Sequence, residues 1–124
     1  MNTRIKTTNL KLTPAIENYL NKKLDEDIAK FIKRLDDKGA AKLFVEIART
    51  TRHHKQGEVF RAEANLSLPG KVLRAEAEEW DIRVAIDQVK DELQREIKKY
   101  KEKQIVKYRK GARKIKSRIL ILGE

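Results

Sequence analysis

Apolar residues change their spacing twice along these 124 residues, and those two changes limit the folds open to the chain. Ile16, Leu20, Leu24, Ile28, Phe31, Ile32 and Leu35 recur at steps of three and four, which draws one stripe down a helix of about six turns. Thr13 is placed to cap that helix and Pro14 suits its first position, where a missing N–H costs nothing. Ile16 stands where a full capping box needs Glu or Gln, and Gly39 supplies the stop. The period then becomes two. Leu43, Val45 and Ile47 alternate with Phe44, Glu46 and Ala48, and Phe60, Ala62, Ala64, Leu66 and Leu68 alternate with Arg61, Glu63, Asn65 and Ser67. Pro69-Gly70 turns the chain into a further strand, Val72 to Glu78, so two hairpins follow one another. Helical spacing returns with Ile82, Ile86, Val89, Leu93, Ile97 and Tyr100 behind Asp81, a residue suited to an N-cap, and extends to about Tyr108 before Gly111 breaks it.

With Arg4 to Thr8 as a short opening strand, Ile5 and Thr7 on one side, the order is β-α-β-β-β-α. That order predicts an α+β domain whose four-stranded, antiparallel-rich sheet carries both helices on a single face and leaves the other free. A chain of this length has material for one core and little for a second. It has no cysteine, hence no disulfide and no thiolate chemistry. No early apolar run resembles a signal peptide and no stretch approaches the ~18 apolar residues of a spanning helix, so a cytosolic location is expected.

Charge is distributed far less evenly. From Lys90 to Arg118 thirteen bases against four acids leave +9, where the whole chain carries +11. The acids thin out while the bases continue past the apolar stripe, a pattern that favours a polyanionic partner, RNA first, over a merely solubilising face. An anionic membrane is the rival partner. Its usual companion is an exposed apolar face, whereas this stripe has the length to be used in the core, so no membrane contact is expected.

Other groups read more simply. Arg52, His53, His54 and Lys55 lie in the polar loop Arg49 to Glu58, and with no Cys and no further His they do not complete a metal site. Glu76, Glu78, Glu79 and Asp81 look like a carboxylate cluster, but negative charge where a helix begins is stabilised by the helix dipole without a catalytic purpose. Trp80, the one tryptophan, is expected to anchor packing at a strand-to-helix junction more than to stack on a base. No nucleophile elbow, Walker loop or dinucleotide turn appears, so neither enzymatic activity nor a cofactor, metal or small-molecule substrate is expected.

Two segments resemble a known family. Ile5 to Leu24 (IKTTNLKLTPAIENYLNKKL) is similar to the opening of the ribosome hibernation-promoting factors, or ribosome-associated inhibitors: a short strand, then T-x-A-[IL] leading a helix. Leu73 to Lys103 (LRAEAEEWDIRVAIDQVKDELQREIKKYKEK) resembles their signature of A-x-A, then D-[ILM]-x-x-A-I-D, then L-x-R-Q-[IL]-x-K-x-K. The strand ending Leu68-Pro69-Gly70 also fits, and the likeness is to the short, sigma-54 modulation protein type of the family.

The resemblance implies a domain similar to double-stranded-RNA-binding domains, over residues 1–103, followed by a basic tail, 104–124, that ends in the apolar Ile119 to Leu122. It implies binding to small-subunit ribosomal RNA where messenger and transfer RNA would lie, inhibiting translation by steric occlusion in idle ribosomes, under stress or in stationary phase. The expected RNA-binding residues are Lys22, Lys23, Lys90, Arg95, Lys98, Lys99, Lys101, Lys103 and Lys107, on a chain expected to be monomeric when free. Arg95 matches the family's Arg. Glu92 stands where Lys is common, Glu96 where Gln is common and Arg83 where Tyr is frequent, which shifts the expected footprint C-terminally. The alternatives are a general double-stranded RNA-binding module or RNA chaperone, and a structural ribosomal protein.

Overall fold

The structure, a computed structural model, describes residues 1–36, 39–50 and 59–122, with side chains through residue 112. Its elements are β1 (Asn2–Thr8), α1 (Pro14–Leu20), a π-helical stretch (Asn21–Glu26), α2 (Asp27–Phe31), β2 (Lys42–Thr50), β3 (Val59–Leu68), β4 (Lys71–Glu79) and α3 (Ile82–Leu122). The sheet order is β1-β2-β3-β4. β1 runs parallel to β2 and the other two pairings are antiparallel, so the α+β order expected from the spacing is realised with a mixed sheet.

One row of partners shows how the core is seeded. Ile5 lies opposite Val45, Val45 opposite Ala64 and Ala64 opposite Ala75 across the inner face. Ala62, Ala64 and Ala75 are fully buried, and their small side chains let α3 settle over β3 and β4 through Ala85, Ile86, Val89, Leu93 and Ile97. The Tyr100 hydroxyl, donating to the Pro69 carbonyl at 3.1 Å, ties the end of this packed portion to the β3–β4 turn. In that turn Gly70 takes φ +76°, the left-handed conformation that a Pro-Gly turn requires at its second position.

The first helix starts as its sequence requires, with the Thr13 hydroxyl accepting from the Ile16 N–H at 3.3 Å and Pro14 at the start. It runs without interruption from α1 through the π-helical stretch into α2, since the residues at each junction keep helical dihedrals. Leu20, Leu24, Ile28 and Ile32 are all buried at steps of four. In a pure α-helix each such step drifts by about 40°, and the wider winding of the π-helical turns takes the drift back, keeping the four over the sheet.

Three expectations change. The first helix ends at Phe31, a turn before Leu35, because Asp36 is drawn out to meet the Met1 amine at 3.0 Å and the Ala41 N–H at 2.9 Å. Gly111 does not break the last helix: α3 passes through it to Leu122, since one interior glycine costs only about 1 kcal/mol and good helix formers flank it. Trp80 is not a packing anchor. It is 54% exposed at the bend after β4, and Ile82 takes the inward place.

Candidate nucleic-acid interface

Asp81 launches the cationic helix as an N-cap, its carboxylate accepting from the Arg83 N–H at 2.9 Å and its carbonyl from the Ala85 N–H at 3.1 Å. The two helices then run side by side in the same direction, because Tyr19 meets Asp87, Asp27 meets Lys90 and Phe31 meets Lys101. This pairing divides the nine candidate cations into groups with different tasks.

Lys90 and Lys101 face the first helix. The Lys90 ammonium is 3.1 Å from the Asp27 carboxylate, and the Lys101 ammonium donates to the Phe31 carbonyl while lying 4.2 Å from the centroid of the Phe31 ring. Both are half-buried and engaged in holding α3 against α2. Lys23 is also half-buried, 5.8 Å from the Tyr19 ring, whereas Lys22 is exposed on the π-helical stretch.

Arg95, Lys98, Lys99, Lys103 and Lys107 are exposed. Arg95 and Lys98 border a shallow depression with Phe31, Asp91 and Gln94, at the seam between the end of α2 and α3. Lys99, Lys103 and Lys107 follow one another at steps of four along another flank, about 6 Å apart along the axis. Lys99 forms an ion pair with Glu96 at 3.4 Å, and this exposed pair contributes little. Like charges at i, i+4 weaken a helix by a few tenths of a kcal/mol per pair, a cost that a bound polyanion removes.

The carboxylates beside β4 have partners of their own. Glu76 pairs with Arg61 at 2.6 Å and Glu79 accepts from the Gln88 amide at 2.6 Å. Among the described residues no group of three or more His, Cys, Asp and Glu is arranged to hold a metal ion, and no helix is long and apolar enough to cross a membrane. Arg52, His53, His54 and Lys55 lie outside the described residues.

Sequence reasoning missed a depression of mixed charge on the open face of the sheet. Arg4 and Lys6 of β1 border a depression with Phe44, Glu46, Glu63 and Asn65, and the Arg4 guanidinium is 5.9 Å from the centroid of the half-exposed Phe44 ring. The signal was present in the alternation, which sends Arg4, Lys6 and Phe44 outward together. It was weak because these residues belong to strands whose pairing only the parallel β1–β2 register reveals.

A βαβββα domain with one open sheet face and a single long cationic helix is thereby defined. The chain belongs to the sigma-54 modulation protein / S30EA ribosomal protein family, whose model matches residues 3–105; it is a family of ribosome-associated, non-enzymatic factors. Among solved structures it is similar to a ribosomal subunit interface protein from Coxiella burnetii, at 19% identity and a TM-score of 0.62 over 82% of this chain and 99% of that one. At that identity the likeness is one of fold. It is also similar to the N-terminal domain of Protein Y from Thermus thermophilus, at 31% identity and a TM-score of 0.55 over 81% of this chain and 99% of that one.

Proposed function

We propose that this protein is a ribosome hibernation factor that binds small-subunit ribosomal RNA and excludes messenger and transfer RNA by occupying their channel. Family membership supports the ribosome as target, and the name of the Coxiella burnetii relative places that protein at a ribosomal subunit interface. The observation that carries the RNA contact is the exposed cationic run from Arg95 to Lys107, built on a helix that Lys90 and Lys101 hold in place.

The mechanism is occupancy. Cations on α3 neutralise phosphates, each contact releasing condensed counterions, while the core fixes their spacing in advance of binding. Residues 1–103, continued along α3 as far as Lys107, form the part seated on the ribosome, and no cofactor or covalent step takes part.

Sedimentation of purified small subunits through a gradient with and without the protein tests this reading. Co-migration that weakens steeply with salt is the expected result. Equal affinity for unrelated RNA duplexes and for small subunits would instead identify a general RNA-binding module.

A further inference from the structure

Beyond Lys101, whose side chain still reaches α2, α3 runs on for about 30 Å, and its side chains from Glu102 to Lys110 are exposed. Its described side chains include three large apolar groups in water: Ile105 is 50% exposed, Val106 49% and Tyr108 78%. The core stripe ends at Tyr100, and the step of five to Ile105 turns the apolar face by about 140°. Ile105 therefore begins a new seam on a different side of the helix.

That seam has a defined period. Ile105, Tyr108 and Ala112 are followed in the sequence by Ile115, Ile119 and Leu122, with steps of three, four, three, four and three. These are the a and d positions of a coiled coil, a narrow stripe that suits a partner helix. The flanking e and g positions carry Arg109, Lys116 and Arg118, and no acid occurs between Lys103 and Leu122. A second copy would bring the same cations to the same flanks, where like charges repel. RNA would neutralise the cations but leave Ile105 and Tyr108 in water, and interfacial membrane helices present a broader face than this seam.

We propose that the projecting half of α3 is a docking helix for an acidic protein helix, one with apolar residues at a and d and carboxylates at e and g. Such a partner covers the seam and pairs with the flanking cations at once. It also stabilises a projection whose described side chains from Glu102 to Lys110 stand exposed.

The test uses the full chain and a synthetic peptide of about 21 residues with Leu at a and d and Glu at e and g, beside a control peptide with Lys at e and g. The Glu peptide is expected to bind, with a far-UV circular dichroism signal exceeding the sum of the separate components, and the Lys peptide is not. The double substitution I105S/Y108S is expected to weaken peptide binding by about tenfold or more while leaving co-sedimentation with small subunits unchanged. Equal binding of the two peptides, or of neither, overturns the proposal. So does a dimer of the free chain in analytical ultracentrifugation that I105S/Y108S abolishes, or a loss confined to binding of phosphatidylglycerol vesicles or duplex RNA in that variant. Because the peptide assay contains no ribosomes, its failure is separate from any failure of the ribosomal reading.

Discussion

The Lys101 ammonium closes the end of the first helix, donating to the Phe31 carbonyl and covering the Phe31 ring at 4.2 Å from its centroid. A lysine that a charge count assigns to RNA thus satisfies a carbonyl that the helix end leaves without an intrahelical partner. Lys101→Ala is expected to destabilise the domain by about 1–2 kcal/mol, from the lost hydrogen bond and the lost ring contact. Lys99→Ala, on an exposed side chain, is expected to stay within about 0.5 kcal/mol of wild type. Urea midpoints for the two variants check the contrast.

Salt dependence separates the cations that meet phosphate from those that hold the fold. Each of Arg95, Lys98, Lys99, Lys103 and Lys107 that contacts a phosphate is expected to contribute about 0.7–0.9 to the slope of log K against log salt. Replacing several together flattens the slope accordingly. Lys90→Met is expected to leave the slope unchanged while lowering stability, because its ammonium is committed to Asp27 at 3.1 Å. A series of binding constants at increasing salt measures both.

Two half-buried hydrogen bonds set the pH dependence of folding at opposite ends of the scale. The Tyr19 hydroxyl donates to Asp87, and that bond, aided by burial and the nearby carboxylate charge, raises its pKa from 10.0 to about 12. The folded state therefore keeps a proton that the unfolded chain releases; the stabilisation is whole below about pH 10 and is lost as pH rises through about 12. Asp36 behaves inversely. The Ala41 N–H first, and then the Met1 amine, hold its carboxyl below its ordinary value of 3.8 against the opposing effect of burial. Its contribution is present above the unfolded value and lost as pH falls through the lower folded one. Unfolding curves of Tyr19→Phe and Asp36→Asn are expected to lose the alkaline and acidic limbs respectively.

Gly111 has no atom within 4 Å of where a Cβ would stand and needs no positive φ. Gly111→Ala is expected to stabilise the projecting helix by about 0.5–1 kcal/mol, and Gly111→Pro to interrupt it. Amide hydrogen exchange across residues 105–118 reads both effects, protection rising in the first variant and falling in the second.

Local signals carried most of the fold. Thr13-Pro14 and Asp81 mark both helix starts, and the alternation from Leu43 onward identifies the strands, because capping and side-chain period are properties of a few adjacent residues. What the sequence did not disclose depends on distant partners. The parallel pairing of β1 with β2 needs the whole crossover between them, and the π-helical stretch answers to the sheet beneath Leu24. The early end of the first helix needs Met1 beside Asp36. At the cationic surface, charge and exposure were legible for Arg95, Lys98, Lys99, Lys103 and Lys107. The structural engagement of Lys90 and Lys101 was not, since Asp27 and Phe31 lie far from them in sequence.

The central claim is exclusion by occupancy, and displacement tests it most directly. Small subunits are prepared either empty or filled with messenger and transfer RNA, and the protein's affinity for each is measured at one salt concentration. The account predicts tight binding to empty subunits and a loss of about a hundredfold or more on filled ones, with the protein in turn blocking transfer RNA on empty subunits. Equal affinity for both, with messenger and transfer RNA still in place, would contradict it.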